Sequence, residues 1–225
     1  EDSVDKIREI LKKDKLTIGD GFSGSGVVSR LLKGKADKLF TNDLAGYSHT
    51  LNQCYLSNPN SSTLNKLRTY IDNANKIANN NTKSDEEWLS KHWAPNNQKI
   101  TKEDRVYFSY ENGKRIDNIR NYIETIPKKY RPYLLGPLLV ESSIHNNTNG
   151  QFSAFYKDED GVGMYGGKKE IDLKRITTPI TLPYPIFDVN ECQVFPTQKD
   201  ANEWATSFKD GEPLDVVYYD PPYNK

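Results

Sequence analysis

The sequence predicts an α/β protein: a doubly wound, largely parallel sheet interrupted by a large inserted region, mostly helical and loop-rich. Three observations carry this. Close to the N-terminus a strand-like run, a glycine turn, a helical run and a second strand-like run follow one another within residues 1–46. The same rhythm returns near the C-terminus and ends on Leu-Asp-Val-Val-Tyr-Tyr-Asp (214–220), a β-branched and aromatic run suited to a parallel strand covered on both faces. Between these segments the periodicity turns helical and then fades. The expected organisation is therefore one discontinuous domain, residues 1–60 and 190–225, carrying residues 61–189 as an insertion.

In order, the first segment reads as a helix, a strand over Lys15–Asp20, a glycine loop, a helix over Val27–Leu32 and a strand over Lys38–Asp43. Within 61–80, Leu64, Leu67, Ile71, Ala74 and Ile77 fall at helical spacing behind Ser61 and Ser62 as N-caps, and Asn79-Asn80-Asn81 ends the helix. Ser84 with Glu87 suggests a capping box for a short helix around Trp88. Ile116, Ile119, Ile123 and Ile126 form one stripe of a helix over 111–126, stopped by Pro127. Residues Pro127 to Pro185 are rich in Pro, Gly, Asn and basic side chains and read as loop. The closing segment predicts a strand over Cys192–Thr197, a helix over Ala201–Phe208 and a strand over Leu214–Tyr219.

Composition narrows the function classes. Hydrophobic residues make up 35% and aromatics 11%, enough for a packed core despite a mean hydropathy of -0.80. Formal net charge is zero, which excludes a chain that holds nucleic acid by overall charge; any such surface has to be local. Cys54 and Cys192 cannot build a disulfide framework or a four-thiolate zinc site, and His49, His92 and His145 lack ligand spacing, so no metal is expected. No apolar run approaches the ~20 residues of a membrane span, and a reducing cytoplasm fits.

After the first strand comes Ile18-Gly-Asp-Gly-Phe-Ser-Gly-Ser-Gly-Val-Val-Ser-Arg30. A glycine turn between strand and helix lets backbone approach a ligand and aims free N–H groups at it. Dinucleotide enzymes and many methyltransferases share this arrangement. Gly24-Ser25-Gly26 lacks a third glycine, because Ser29 stands there. Asp43 ends the second strand about 20 residues on, where a carboxylate commonly accepts from ribose hydroxyls. The residues point to a nucleoside cofactor and leave open which one.

The chain closes on Asp220-Pro221-Pro222-Tyr223-Asn224-Lys225. Asp220 falls at the carboxyl end of a strand, the edge where open α/β sheets hold ligands. Two prolines cannot extend the ladder, so they fix a rigid turn whose carbonyls point in set directions. A carboxylate, a fixed carbonyl and a ring suit a planar heterocycle bearing an exocyclic amine: Asp220 and the Pro221 carbonyl accept from the amine, and Tyr223 stacks.

DPPYNK together with DGFSGSGVVSR resembles the Dam-like adenine-N6 DNA methyltransferases of restriction-modification systems, in which the glycine motif precedes a recognition segment and DPPY follows it. RVYFSYENGKRIDNIR, NTNGQFSAFYK and GGKKEIDLKRIT resemble segments of the same enzymes. The resemblance implies a Rossmann-like sheet that binds S-adenosylmethionine. It assigns Asp20, Phe22, Ser23, Gly24, Ser25, Gly26, Asp43 and Leu44 to the cofactor's methionine and ribose parts. Asp200, with Gln198 at the same strand end, is assigned to its adenine. It also implies a Lys-bearing segment before the first helix and further strands after DPPYNK; neither is in the sequence, so an incomplete sheet is expected. Asp220, Pro221, Pro222 and Tyr223 become the catalytic group, acting on a base flipped out of duplex DNA.

Charge is uneven. Lys114, Arg115, Arg120, Lys128, Lys129 and Arg131 face only Asp117 and Glu124 within 114–131, whereas 188–225 is acidic. A basic insertion beside an acidic catalytic end fits local phosphate contact. Lys168, Lys169 and Arg175 extend that surface, and Asn149, Gln151, Ser153 and Lys157 are candidates for base-edge or phosphate contacts. The expected function is S-adenosylmethionine-dependent methylation of adenine N6 in duplex DNA, with a cognate restriction endonuclease as functional partner. Cytosine N4, RNA adenine and a non-catalytic DNA-binding remnant are the alternatives.

Overall fold

The computed structural model describes residues 2–79, 87–96, 99–148, 154–208, 211 and 213–222. The chain divides into two compact units, Glu1–Leu64 with Pro185–Lys225, and Asn65–Tyr184.

The first unit is α/β. Helix α1 (Asp2–Leu11) leads into β1 (Leu16–Asp20), α2 (Val27–Lys33), β2 (Ala36–Asn42) and α3 (Gly46–Tyr55). The chain returns to this unit with β3 (Gln193–Thr197), α9 (Ala201–Thr206) and β4 (Val216–Tyr218). The four strands form one sheet in the order β3-β2-β1-β4, every neighbouring pair parallel. Alternation along each strand sends Leu16, Ile18 and Leu39 into a core with Leu32, Ala36 and Leu56, against which Val4, Ile7 and Val28 pack. The opposite face is aromatic. Phe40 stacks on Phe195 with ring centroids 4.7 Å apart, and Phe208 meets the Phe40 ring edge-on at 5.2 Å.

Asp215 locks the register of β4: Thr17 N donates to its Oδ2 at 2.8 Å, Lys13 Nζ to its Oδ1 at 2.7 Å, and its own N–H to Thr17 O at 2.8 Å. The sequence predicts a β4 covered on both faces. Instead Val217, Tyr218 and Tyr219 are exposed, because among the described residues this strand pairs only with β1 and lies at the sheet edge. Parallel pairing puts all four carboxyl ends on one edge, at Asp20, Asn42, Thr197 and Tyr218.

The second unit is helical: most of α4 (Ser61–Ala78), then α5 (Leu89–Trp93), α6 (Tyr110–Thr125), a 3-10 turn at Lys128–Tyr130, α7 (Pro132–Ile144) and α8 (Leu173–Thr177). The isoleucine stripe behaves as its spacing requires: Ile116, Ile119, Ile123 and Ile126 are buried, each such side chain contributing about 1.5–3 kcal/mol. Three expectations need correction. The α4 cap is Asn60, whose Oδ1 accepts from Thr63 N at 2.9 Å; Ser61 and Ser62 are already helical. Helix α5 is held from outside by Asp117 of α6, which accepts from Leu89 N at 2.9 Å, Ser90 N at 2.8 Å and Ser90 Oγ at 2.6 Å. Glu87 instead pairs with Lys114, and Ser84 lies outside the described residues. Residues 132–144, read as loop, are helix α7. Pro132 stands in the first turn, where its missing N–H costs nothing, and Gly136 and Pro137 are buried in the helix.

Asparagines substitute for strand pairing in the loops of this unit. Asn75 exchanges two hydrogen bonds with the Leu182 backbone, donating to O at 3.0 Å and accepting from N at 2.8 Å. Asn112 does the same for 176–180, donating to Ile176 O and Thr178 O and accepting from Ile180 N at 2.9 Å. Asn147 holds Val106 O, Met164 O and Gly166 N.

Candidate active site

Asp20 is fully buried where β1 ends. Its Oδ2 accepts from Ser29 Oγ at 2.5 Å, while Oδ1 is buried without a hydrogen-bond partner. Burial pushes this carboxyl above the usual carboxylate range; the Ser29 hydroxyl and the Phe22 N–H oppose the rise, and the charges of Asp43 and Asp220 add to it. Ser29 fills the third-glycine position of the turn, and its contact explains why a hydroxyl stands there: it satisfies half of a buried carboxylate.

The turn that follows is built for close approach. Gly24 and Gly26 take φ of 50° and 78°, a region side chains avoid. A Cβ at Gly24 would meet nothing within 4 Å, whereas one at Gly26 would lie 2.5 Å from Asn52 Oδ1. Ser25 is exposed at the tip. Ser23 is buried, donating N to Asn42 O at 2.9 Å and Oγ to the same oxygen at 3.1 Å, and accepting from Asn52 Nδ2 at 2.7 Å. Phe22 meets the Tyr219 ring edge-to-face at 5.0 Å. Gly21 N donates to Tyr218 O at 3.1 Å, tying the turn to the end of β4.

Half-buried Asp43 follows β2. Its Oδ2 accepts from Gly24 N and its Oδ1 from Ala45 N, both at 2.9 Å, which leaves lone-pair capacity on each oxygen. Leu44 is 70% exposed beside it. Gln198 donates Nε2 to Leu44 O at 3.1 Å. Asp200 is exposed and caps α9, accepting from Asn202 N at 2.8 Å. After β4, Asp220, Pro221 and Pro222 are exposed, and Tyr218 Oη donates to Asp220 Oδ2 at 3.4 Å. Tyr223 lies outside the described residues.

One sheet edge thus gathers Asp20, the glycine turn, Asp43, Gln198, Asp200 and Asp220. Sequence reasoning missed the two side chains that hold this edge together, Asn42 and Asn52. Neither belongs to a glycine or proline motif; the one signal was Asn42 standing directly before Asp43.

In the second unit, Lys169 is exposed, Lys168 pairs with Glu159, and Lys157 Nζ lies 4.9 Å from the centroid of the Phe155 ring. Arg175 donates to Ile144 O and, at 3.0 Å, to Asn146 O. Asn149, Gln151 and Ser153 lie outside the described residues. Of the basic run at 114–131, Arg115 is buried and donates Nε to Ile180 O at 2.7 Å and Nη1 to Asn79 Oδ1 at 2.6 Å, so it is structural. Arg120 and Arg131 both pair with Glu124. Among the described residues no cluster of three His, Cys, Asp or Glu side chains could hold a metal, and no helix is long and apolar enough to cross a membrane.

A parallel sheet whose carboxyl edge carries a left-handed glycine turn, a buried acid before it and further acids on neighbouring strands defines an open α/β protein, the class in which ligands sit at that edge. The family model for D12 class N6 adenine-specific DNA methyltransferases matches residues 1–174, and the chain belongs to that family. It is 28% identical to the Type II methyltransferase M.NlaIII of Neisseria lactamica, over 91% of this chain and 55% of that protein. It is 26% identical to the modification methylase LlaI of Lactococcus lactis subsp. lactis, over 96% of this chain and 33% of that protein. To the Type II methyltransferase M.FokI of Planomicrobium okeanokoites the identity is 27%, over 98% and 33%. The chain therefore spans about half the length of the first relative and a third of the other two. No solved structure matches it significantly.

Proposed function

We propose that this chain transfers a methyl group from S-adenosylmethionine to N6 of adenine in duplex DNA. Residues 1–60 and 190–225 form the Rossmann-like cofactor and catalytic domain, and 61–189 the target-recognition region. The observation that carries the reading is the buried, unpartnered Asp20 Oδ1, under the combined field of Asp43 and Asp220. An acidic edge with an orphaned acceptor fits a cofactor that is a nucleoside at one end and cationic at the other, and it suits the anionic phosphates of a dinucleotide poorly. When bound, S-adenosylmethionine supplies an electrophilic methyl on a sulfonium.

The chain's own residues divide the remaining work. The N–H groups and small surface of Ser23 to Gly26 admit the cofactor's methionine and ribose parts, with Phe22 as an apolar wall. Asp43 offers lone pairs to the ribose hydroxyls, Leu44 packs beside them, and Asp200 with Gln198 stands at the adenine end. Adenine N6 is a weak nucleophile because its lone pair is delocalised into the ring. Asp220 and the Pro221 carbonyl accept its two N–H groups, favouring a pyramidal nitrogen and stabilising the positive charge that develops on it. Pro222 keeps the turn rigid and Tyr223 stacks on the flipped base. Asp220 takes the departing proton late. Lys157, Lys168 and Lys169 meet phosphates, Asn149, Gln151 and Ser153 are the candidates for base-edge or phosphate contacts, and Arg175 braces the turn at 144–146. In the cytoplasm this modification protects DNA from a cognate restriction endonuclease.

The test is incubation with methyl-labelled S-adenosylmethionine and mixed-sequence duplex DNA, then nucleoside mass spectrometry. N6-methyladenine that disappears in Asp220→Asn, with cofactor binding retained, is expected. Labelled N4-methylcytosine would keep the chemistry and correct the base; wild-type rates in Asp220→Asn would overturn the mechanism.

A further inference from the structure

Taking the cofactor reading above as its premise, we propose that Asn42 is a positioning residue that couples the two halves of the cofactor cradle. These are the glycine turn at 21–26 and the β3–α9 turn at 198–200.

The β2–β3 ladder ends at the pair Asn42↔Thr197. The Asn42 carboxamide, 1% exposed, continues it by one step: Nδ2 donates to Lys199 O and Oδ1 accepts from Lys199 N, both at 3.0 Å. Thr197 Oγ1 donates to the same Oδ1 at 2.9 Å. These partners fix the amide's orientation, since Lys199 N can only donate and Lys199 O can only accept. The residue after Lys199 is Asp200, so the amide sets where that carboxylate begins.

On its other side Asn42 holds the glycine turn. Its main-chain carbonyl accepts both the N–H and the hydroxyl of Ser23, at 2.9 and 3.1 Å, and the side-chain Nδ2 also faces Gly21 O at 3.5 Å. One residue therefore bonds to both loops while leaving the ligand-facing surface to others. A rigid link between two half-sites raises affinity by sparing the ordering cost that each half would otherwise meet on binding. Only Asn fits. Asp turns a carboxylate oxygen toward the Lys199 carbonyl, and Gln is one methylene too long to keep the two-bond pairing.

The experiment uses the whole chain, with Asn42→Asp as a near-isosteric variant and Thr197→Val as a milder one. Calorimetry with S-adenosylmethionine should show the dissociation constant raised tenfold or more in Asn42→Asp and three- to fivefold in Thr197→Val. In turnover, the KM for cofactor should rise in parallel, with kcat at saturating cofactor and the KM for DNA within twofold of wild type. Hydrogen exchange of the ligand-free chain should quicken first in 198–200, where the side-chain bonds are lost, and to a smaller extent in 21–26 through the Gly21 contact, and not in α1 or β1. This pattern is one that general destabilisation would not give, and it is read even without cofactor. Affinity within twofold of wild type in both variants, or a fall in kcat with unchanged cofactor KM, overturns the proposal. A wild-type chain that binds no S-adenosylmethionine overturns instead the cofactor reading on which it rests.

Discussion

A fully buried carboxylate with one oxygen unpartnered is a cost to the fold, and at Asp20 the cost is placed where a cation would relieve it. Its pKa is raised, so between pH 3.8 and the folded-state value the native chain holds a proton that the unfolded chain has released. The associated stability is complete below that window and lost as pH rises through it. Asp20→Asn should therefore stabilise the free chain at pH 7 by about 1 kcal/mol in urea unfolding while weakening S-adenosylmethionine. A destabilised variant with normal cofactor affinity would show that the acid is structural. Lys33 is the mirror case: fully buried at the end of α2 with Nζ unpartnered, its pKa is lowered by burial, against the charges of Asp188 and Cys192. Here the unfolded state binds the extra proton, so stability rises with pH from the folded value toward 10.5, and Lys33→Met should flatten that rise in a pH series of melts. Glycine positions and strand-end acids were legible in the sequence because backbone conformation and spacing are local. The contacts of Asn42 and Asn52 were not, since the Asn42 amide finds its partners at Thr197 and Lys199, more than 150 positions away.

Elements were legible where one signal dominated. Runs of β-branched residues ending on Asp marked β1 and β4, and the isoleucine stripe marked α6. Helix α7 was hidden because two prolines and a glycine argue locally against it, yet one proline sits in the first turn and the other is held by packing. Helix α5 illustrates the opposite dependence. Five residues cannot hold a helix alone, and its N-terminal N–H groups are satisfied from another helix by Asp117. Asp117→Ala removes three accepted hydrogen bonds and should cost about 2–3 kcal/mol in chemical denaturation, with protection lost first across 88–94 in hydrogen exchange. A loss under ~0.5 kcal/mol would mean that α5 is held instead by ring contacts such as Trp93 on Tyr107, whose centroids lie 4.7 Å apart.

At the scale of the whole molecule, zero net charge means that binding of the proposed DNA substrate would rest on a few placed cations, and the structure shows which cations are committed to the fold. Arg115 spends its guanidinium on Ile180 O and the Asn79 side chain, Arg175 on the Ile144 and Asn146 carbonyls, and Arg120 and Arg131 share Glu124. Lys169 is exposed on the loop before α8, the helix that carries Arg175. Each phosphate neutralised adds about 0.9 to the slope of log K against log salt concentration. Lys169→Ala should therefore lower that slope by about one while leaving thermal stability unchanged. Arg175→Ala should do the reverse, lowering stability as the Ile144 and Asn146 carbonyls lose their donor, with the slope nearly unchanged. Fluorescence anisotropy on one duplex from 50 to about 200 mM salt separates the two classes. Equal slope losses in both variants would place Arg175 on the phosphates, and no loss in either would move the DNA surface off this loop.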